Sequence, residues 1–227
     1  MMRLLILLEG QTEESFVKDV LAPHLLGFSV VVSYIVVTTR RDKQTGEKRR
    51  GGGHWKHWVK DLRQWRFEHP GNAVRFTTLF DLYGLPDDFP ELDDHSGDLD
   101  TIRRAHALEQ AMARVVDDWR FIPYLQRHEF EALVLACLDS LADWLDPVDR
   151  PGVQSLRREL GDAKPEDIND GSETAPSKRL ERHIPSYSKT QHGPATIALA
   201  GLAVIRSQCP RFAAWLTKLE SLAGTTP

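Results

Sequence analysis

The sequence has two cysteines and no long hydrophobic run. Cys137 and Cys209 lack the spacing of a zinc site and are too few for a disulfide framework. No apolar stretch approaches the ~18 residues of a membrane helix, and the run at 4–8 is too short for a secretory signal. The glycines at 51–53 are not followed by the Lys-Ser/Thr of a P-loop. We therefore expect a cytoplasmic protein with no membrane segment and no P-loop nucleotide site.

The composition is typical of a folded globular protein. The 227 residues are 41% hydrophobic and 27% charged, which excludes a largely disordered or fibrous chain. We expect an α/β core over residues 1–145. Residues 146–227 are expected to form an irregular region and closing helices that pack on the same domain.

Charge is unevenly distributed along the chain. Residues 40–66 contain ten Lys/Arg and three acids, whereas residues 81–100 contain eight acids and no Lys or Arg. A cationic segment attracts a polyanion, and a carboxylate-rich loop repels one unless metal ions neutralise it. This pattern suggests nucleic acid handled at a metal site, although charged runs are more often simply solvated surface.

Strand and helix patterns alternate along the first 145 residues. Continuous apolar runs are typical of buried parallel strands, and amphipathic stretches separate them. The expected strands lie at 3–8, 30–37, 74–80 and 121–126, and the expected helices at 12–23, 55–65, 101–118, 128–145, 153–160, 196–207 and 211–222. The alternation predicts a mostly parallel central sheet flanked by helices, with a C-terminal helical extension.

Carboxylates follow three of the predicted strands. Glu9 follows the first strand, Asp81 the third, and the group His128, Glu129 and Glu131 the fourth. Parallel strands with right-handed crossovers bring their carboxyl ends to one edge of the sheet, where such folds keep their sites. Oxygen ligands of this kind suit Mg2+, and one or two such ions commonly support phosphodiester cleavage.

The motifs at these strand ends resemble a known family. The segment at 8–14, LEGQTEE, is similar to the first motif of the Toprim fold in OLD-type nucleases, a Glu-Gly turn before a Thr-Glu helix start. The segments at 80–90, 121–133 and 175–180 resemble an uncharacterised bacterial Toprim-like family. The likeness covers most of the chain. It implies a Toprim-like fold and a possible partner ATPase in phage-defence or mobile-element systems.

The resemblance also implies roles for individual acids. Glu9 takes the place of the Toprim glutamate, a metal ligand and possible acid/base group, and Asp81 takes the first position of the Toprim Asp-x-Asp motif. Tyr83 stands where the second aspartate would be. That departure weakens the case for two-metal chemistry and leaves Glu13, Glu129 and Glu131 as substitute ligands.

Each of these residues also has a purely structural interpretation. Glu13 can complement the dipole of a helix that begins at residue 12, and Asp81 can form a turn. Helical spacing would place His128 and Glu131 on one face, either as metal ligands or in a buried hydrogen-bond network, with Glu129 facing elsewhere unless the helix starts later.

The basic residues are candidates for contact with nucleic acid. Arg49, Arg50, Lys56 and Lys60 could grip phosphates, with neighbouring tryptophans stacking on bases. The alternative is an amphipathic helix that buries Trp55, Trp58 and Leu62 and turns its basic side chains outward, and both can hold. In the long irregular region, Lys178 and Lys189 are further candidates, and Lys189 could stabilise charge on a phosphate.

Together these features predict a Mg2+- or Mn2+-dependent nuclease or nuclease subunit. The predicted catalytic residues are Glu9, Asp81 and Glu129, and the predicted metal ligands add Glu13, His128 and Glu131. The expected partners are DNA or RNA, an ATPase and a second copy of the chain, since the apolar closing helices could support a homodimer. The alternatives are a non-catalytic binding or regulatory subunit and a phosphatase acting on a small substrate.

Overall fold

A computed structural model describes residues 1–41, 48–50, 53–168, 171 and 173–224. Its strands are β1 (Met2–Leu8), β2 (Val30–Val36), β3 (Thr38–Arg41), β4 (Lys48–Arg50), β5 (Val74–Asp81), β6 (Phe121–Ile122) and β7 (Leu125–Gln126). The first helices are α1 (Gln11–Phe16), α2 (Ala22–Leu26), α3 (Trp55–Glu68), α4 (Thr101–Val116), α5 (Glu131–Leu135) and α6 (Leu138–Trp144). The remaining helices are α7 (Arg150–Leu160), α8 (Pro176–His183), α9 (Lys189–Ala200), α10 (Leu202–Gln208) and α11 (Pro210–Glu220).

The central sheet is parallel and has β1 and β5 at its centre. The strand order is β2-β1-β5-β6, with β7 also pairing β5, and every one of these pairings is parallel. A separate antiparallel pair is formed by β3 and β4. The predicted mostly parallel sheet flanked by helices, with a C-terminal helical extension, is confirmed.

The apolar run of β1 is explained by two hydrophobic cores, one on each face of the sheet. Leu4 and Ile6 face a core completed by α1, α2 and the C-terminal helices. Leu5 and Leu7 face a second core completed by α3 and α4. Because β1 is buried on both faces, its sequence shows no alternation of apolar and polar residues.

The expected strand at 121–126 is two short strands that both lie along β5. Phe121 and Ile122 pair with the first half of β5, and Leu125 and Gln126 pair with its end. The residue between them, Pro123, has no N–H to donate to a ladder. The Thr78 side chain bridges the interruption, since its Oγ1 lies 2.8 Å from the Tyr124 carbonyl oxygen and 3.1 Å from the Tyr124 nitrogen.

The second half of the chain is more helical than predicted. The expectation of a mostly irregular stretch over 146–194 is wrong, because α7, α8 and the start of α9 lie there. An ion-pair network joins α7 to α8: Glu159 contacts Arg179, Arg182 and His183. The short helix expected at 153–160 is confirmed as part of α7, and the division of the chain at residue 145 stays a prediction. No helix among the described residues has the length and apolar character to cross a membrane.

Candidate functional site

The carboxyl ends of β1, β5 and β7 lie at one edge of the sheet. Leu8 of β1 is in register with Leu79 of β5, so Glu9 follows β1 beside the last residues of β5. Asp81, the last residue of β5, is in register with Gln126 at the end of β7. The sheet therefore brings together three chain segments that are far apart in sequence, as the strand pattern predicted.

Glu9 is held against the turn that follows β5. Its Oε2 accepts a hydrogen bond from the backbone N–H of Asp81 at 3.2 Å. A Cβ atom on Gly84 would lie 2.7 Å from Glu9 Oε1, so only glycine leaves this space to the carboxylate. Burial raises the pKa of Glu9 to about 8, with repulsion from Glu13 adding to the rise and the hydrogen bond from Asp81 opposing it.

Glu13 caps α1 and belongs to the same cluster. Its Oε2 accepts from the backbone N–H of Gly10 at 2.8 Å, which completes a capping arrangement in the first turn. Burial raises the pKa of Glu13 despite this hydrogen bond and the attraction of Lys189. Glu13 therefore lies in the first turn of α1, as the helix-dipole interpretation predicted, although the helix begins at Gln11 and not at residue 12. Repulsion between Glu13 and Glu9 shows in the raised pKa of Glu9.

Asp81 interacts with all the other acids of the cluster. Burial raises the pKa of Asp81 well above its ordinary value, and repulsion from four carboxylates adds to the rise. In decreasing order of effect these are Glu9, Glu13, Glu131 and Glu129. We call these five acids, Glu9, Glu13, Asp81, Glu129 and Glu131, the carboxylate cluster.

The segment at 128–131 differs from its prediction. Helix α5 begins only at Glu131, and His128 adopts a left-handed conformation with φ of 63°. The His128 carbonyl accepts from the backbone N–H of Tyr83 at 3.0 Å, which ties this turn to the one after β5. The prediction that His128 and Glu131 share one helix face is wrong, because the left-handed residue precedes the helix. The metal-ligand role of His128 stays a prediction.

The later start of α5 allows both glutamates of this segment to join the cluster. Glu129 Oε2 accepts from the backbone N–H of Ser177, at the start of α8, at 2.9 Å. Glu131 Oε2 lies 3.7 Å from Nζ of Lys189, and only 3% of the Glu131 side chain is exposed. Burial raises the pKa of Glu131 to about 7, although Lys189 opposes the rise.

Lys189, at the start of α9, brings a positive charge to the cluster. Helix α9 packs against α1 and α5, so its first residue reaches the sheet edge. Burial would lower the pKa of Lys189, but attraction to Glu131, Glu129 and Asp81 outweighs burial and raises it. The side chain is 41% exposed, so its ammonium group contacts both the acids and solvent.

The chemistry of these donors fits a hard divalent cation. All five acids offer oxygen ligands, and burial raises the pKa values of Glu9, Glu13, Asp81 and Glu131, as expected for acids whose negative charges are poorly compensated. Among the described residues, however, no three His, Cys, Asp or Glu side chains are placed so that they could share one metal ion. The cluster therefore supplies suitable donors without a closed set of ligands.

Comparison with known proteins places the chain in a family. The model of the family described as "Domain of unknown function (DUF4276)" matches residues 8–220. The chain belongs to this family. The predicted membership of an uncharacterised family is thereby confirmed. No curated protein matches the chain.

Solved structures similar to this DUF4276 chain include the C-terminal regions of two OLD proteins. The one from Burkholderia pseudomallei is 14% identical, with a TM-score of 0.43, and the match covers 97% of this chain and 99% of the other. The one from Xanthomonas campestris is 14% identical, with a TM-score of 0.36, and the match covers 96% of this chain and 97% of the other. At these TM-scores the similarity supports no inference about function.

The residues predicted to contact nucleic acid differ in their exposure to solvent. On α3, Trp55 and Trp58 are buried and pack against Phe89 and Phe80, so stacking of these tryptophans on bases is wrong. Lys56 and Lys60 are exposed on the same helix, as the amphipathic interpretation predicted.

Three further basic residues from the prediction have different outcomes. The side chains of Arg49 and Arg50, in β4, lie outside the described residues, as do Gly51 and Gly52. Lys178 is ion-paired with Glu181 at 2.9 Å on the surface of α8. Its contact with nucleic acid stays a prediction.

Three residues of the site were not identified from the sequence. Gly84 makes room for Glu9, and the Ser177 N–H binds Glu129. The buried Tyr187 hydroxyl has no hydrogen-bond partner among the described residues, and burial together with Glu131 and Glu129 raises the pKa of Tyr187. The Gly-Leu-Pro turn at 84–86 is a local signal for Gly84, whereas Ser177 and Tyr187 reach the site only through tertiary packing.

Proposed function

We propose that this chain is a Mg2+- or Mn2+-dependent nuclease, or the nuclease subunit of a larger assembly, that hydrolyses phosphodiester bonds. One observation carries the proposal: the five acids of the carboxylate cluster lie together at the carboxyl edge of a parallel sheet, where burial raises the pKa values of four of them, Glu9, Glu13, Asp81 and Glu131. A bound divalent cation would offset the repulsion among these acids. The raised pKa values support a binding site more than a purely structural role.

Glu9 and Asp81 are the residues best placed to hold such a cation. Glu9 directly follows β1 and Asp81 ends β5, the two central strands, and the hydrogen bond from the Asp81 N–H to the Glu9 carboxylate joins them. Glu13, Glu129 and Glu131 are the acids that would move to complete the ligands, since no three acids are placed to share one ion among the described residues. When bound, the cation would polarise a phosphate oxygen and lower the pKa of an attacking water.

Lys189 would bind the phosphate of the substrate. A phosphodiester is an anion, so the carboxylate cluster alone would repel it. The Lys189 ammonium lies 3.7 Å from Glu131 and is partly exposed, so it can contact a phosphate oxygen without leaving the cluster. Such a positive charge stabilises the negative charge that develops on the phosphate as water attacks.

Nucleic acid is the substrate class that the exposed basic residues favour. Lys56 and Lys60 project from α3, and the start of this helix is joined to the loop after β5 by a hydrogen bond from the Trp55 N–H to Asp88 at 2.7 Å. The partner ATPase and the role in bacterial defence or mobile elements are parts of the proposal that come from the sequence resemblance.

The direct test is cleavage of labelled DNA and RNA in the presence of Mg2+, Mn2+ or EDTA. We compare the wild type with Glu9→Gln and Asp81→Asn, which keep side-chain shape and remove charge. Glu91→Gln is the matched control, because Glu91 is exposed and pairs with Arg114 away from the cluster. Cation-dependent cleavage that is lost in the two cluster variants and kept in the control supports the proposal. Equal activity in all four proteins would rule out the site.

A non-catalytic binding or regulatory subunit is the second candidate. It is favoured because, among the described residues, no three His, Cys, Asp or Glu side chains are placed to bind one metal ion together. It predicts that the protein binds nucleic acid or a partner but cleaves no substrate with any cation, alone or with the partner. The cleavage assay above distinguishes the two candidates.

A further inference from the structure

A pocket lies at the end of the sheet opposite the carboxylate cluster. It is lined by Arg63, Arg66, Phe67, Pro70 and Arg120, and we call it the arginine pocket. Pro70 precedes the start of β5, and Arg120 directly precedes β6. The pocket therefore faces the amino ends of strands whose carboxyl ends lead to the cluster.

Two of these arginines are fixed in place by the fold. Arg120 binds Asp118 at 2.8 Å and donates to the His69 carbonyl at 2.7 Å. Arg66 lies 3.2 Å from the same Asp118 carboxylate and donates to the Val116 carbonyl at 2.6 Å. One carboxylate thus serves two guanidinium groups, and Arg63 adds a third at the exposed rim.

A fourth arginine, Arg75, lies next to the residues that line the pocket and interacts with Arg120 and Asp118. Burial lowers the pKa of Arg75 and repulsion from Arg120 lowers it further, whereas attraction to Asp118 opposes the change. The Arg75 guanidinium lies 4.5 Å from the centre of the Trp119 ring. Asp118 is the carboxylate that attracts Arg66, Arg75 and Arg120, and the positive charge that it leaves uncompensated would attract an anion.

The pocket also has an exposed aromatic ring. Phe67 is 86% exposed, whereas Trp58, earlier on the same helix, is fully buried. An exposed ring beside fixed guanidinium groups is suited to a nucleotide, because phosphate oxygens accept from arginine and bases stack on aromatic faces.

A basic helix face connects this pocket to the other edge of the sheet. Lys56, Lys60 and Arg63 are exposed and follow each other at spacings of four and three, so they lie on one face of α3. The 14 residues of α3 extend over ~21 Å, which is the axial rise of about six stacked nucleotides at the ~3.4 Å spacing that a strand has in a duplex. The helix starts beside Asp88, in the loop after Asp81, and ends at the pocket.

We infer that the arginine pocket binds the phosphate backbone of a nucleic-acid strand, with a base against Phe67, ~20 Å from the carboxylate cluster. The choice of nucleic acid rests on the proposed function. The inference adds a second contact between protein and strand, at the arginine pocket. A strand bound at the cluster reaches this pocket only if it extends about six nucleotides further.

The test is fluorescence anisotropy with labelled single strands of 3 and 12 nucleotides, in EDTA so that no cation-dependent cleavage occurs. Arg63→Ala and Phe67→Ala are the test variants, since both side chains are exposed and their loss should leave the fold intact. Arg158→Ala and Trp144→Ala, on exposed positions of α7 and α6, are the matched controls. Thermal melting of each variant verifies folding.

We expect Arg63→Ala and Phe67→Ala each to weaken binding of the 12-mer ~5-fold or more, and the controls to bind like the wild type. Arg63→Ala should also reduce the salt dependence of binding. The slope of log binding constant against log salt concentration should become shallower by ~0.7, the value for one phosphate contact on a single strand. Phe67→Ala should leave the affinity for a base-free polyphosphate unchanged.

Three results would overturn the inference. The first is that the wild type fails to bind the 12-mer, and the second is that Arg63→Ala and Arg158→Ala bind the 12-mer equally well. The third result is that the wild type binds the 3-mer or inorganic phosphate as tightly as the 12-mer. The last result would indicate a pocket for a small phosphate ligand. The two proposals can fail independently. If the protein binds nucleic acid through the pocket but cleaves no substrate with any cation, this inference stands and the proposed nuclease function is excluded.

Discussion

The backbone N–H of Asp81 donates a hydrogen bond to the Glu9 carboxylate at 3.2 Å. Seventy-two positions separate these residues in sequence, and the parallel register of β1 and β5 brings them together. The position of Glu9 therefore depends on the fold of the central sheet and on the turn that follows Asp81. This turn is the part of the site most sensitive to small changes in volume.

We predict that Gly84→Ala displaces Glu9. The new Cβ would lie 2.7 Å from Glu9 Oε1, so the carboxylate must move. Cation-dependent cleavage should fall at least ~10-fold, since a misplacement of ~1 Å can cost ~100-fold. Cleavage rate and melting temperature are the two measurements.

The matched control for Gly84→Ala is Gly97→Ala, where the added Cβ meets nothing within 4 Å. It should keep the activity of the wild type. Equal activity in the two glycine variants would show that the position of Glu9 does not matter for the reaction.

We predict that Lys189→Met impairs catalysis but does not weaken cation binding. Lys189 lowers the pKa of Glu131 and partly neutralises the cluster, so its removal leaves more negative charge for a cation to offset. Loss of the contact with phosphate should reduce kcat by ~100-fold, as for other groups that stabilise developing charge. Calorimetric titration with Mg2+ and steady-state kinetics separate the two effects, and a loss of Mg2+ affinity in this variant would contradict the assigned role.

The ion-pair network between α7 and α8 predicts a pH-dependent stability. The hydrogen bond from His183, with the charges of Arg182 and Arg179, lowers the pKa of Glu159 from 4.5 to about 2. The unfolded chain binds this proton more readily, so the stabilisation is complete above pH ~4.5 and is lost as the pH falls toward ~2.

Glu159→Gln should therefore lower the free energy of unfolding by ~1 kcal/mol at pH 6, the upper range for partly exposed ion pairs. The difference from the wild type should shrink steadily between pH 5 and pH 3. Urea denaturation at several pH values provides the measurement. A difference that stays constant across this range would exclude the ionised Glu159 as the source of the stabilisation.

The sheet and its acidic edge could be predicted because their signals are local. The apolar run of β1 and the position of Glu9 directly after it are visible in one short segment. The same holds for Asp81 at the end of β5, where a strand pattern stops at a turn. Parallel topology then places both carboxylates at one edge, without further information.

Other parts of the site depend on contacts that no single segment reveals. The left-handed conformation of His128 is stabilised in part by the Tyr83 N–H, which lies on another segment, so the start of α5 at Glu131 was not visible. Lys189 reaches the cluster only because α9 packs against α1. The arginine pocket could not be predicted for the same reason. Arg63 and Arg120 are distant in sequence, and only the packing at the amino ends of the strands brings them together.

The most direct test of the carboxylate cluster as a cation site is the stability of Asp81→Asn at pH 8, with and without Mg2+. Because burial and neighbouring acids raise the pKa of Asp81 above 3.8, its ionisation opposes folding as the pH rises. In EDTA the variant should therefore melt at a higher temperature than the wild type. Mg2+ at ~100 times its Kd should stabilise the wild type by ~2.7 kcal/mol and leave Asp81→Asn unchanged. A wild type that gains nothing from Mg2+ or Mn2+, or a variant that gains as much as the wild type, would contradict the cation site.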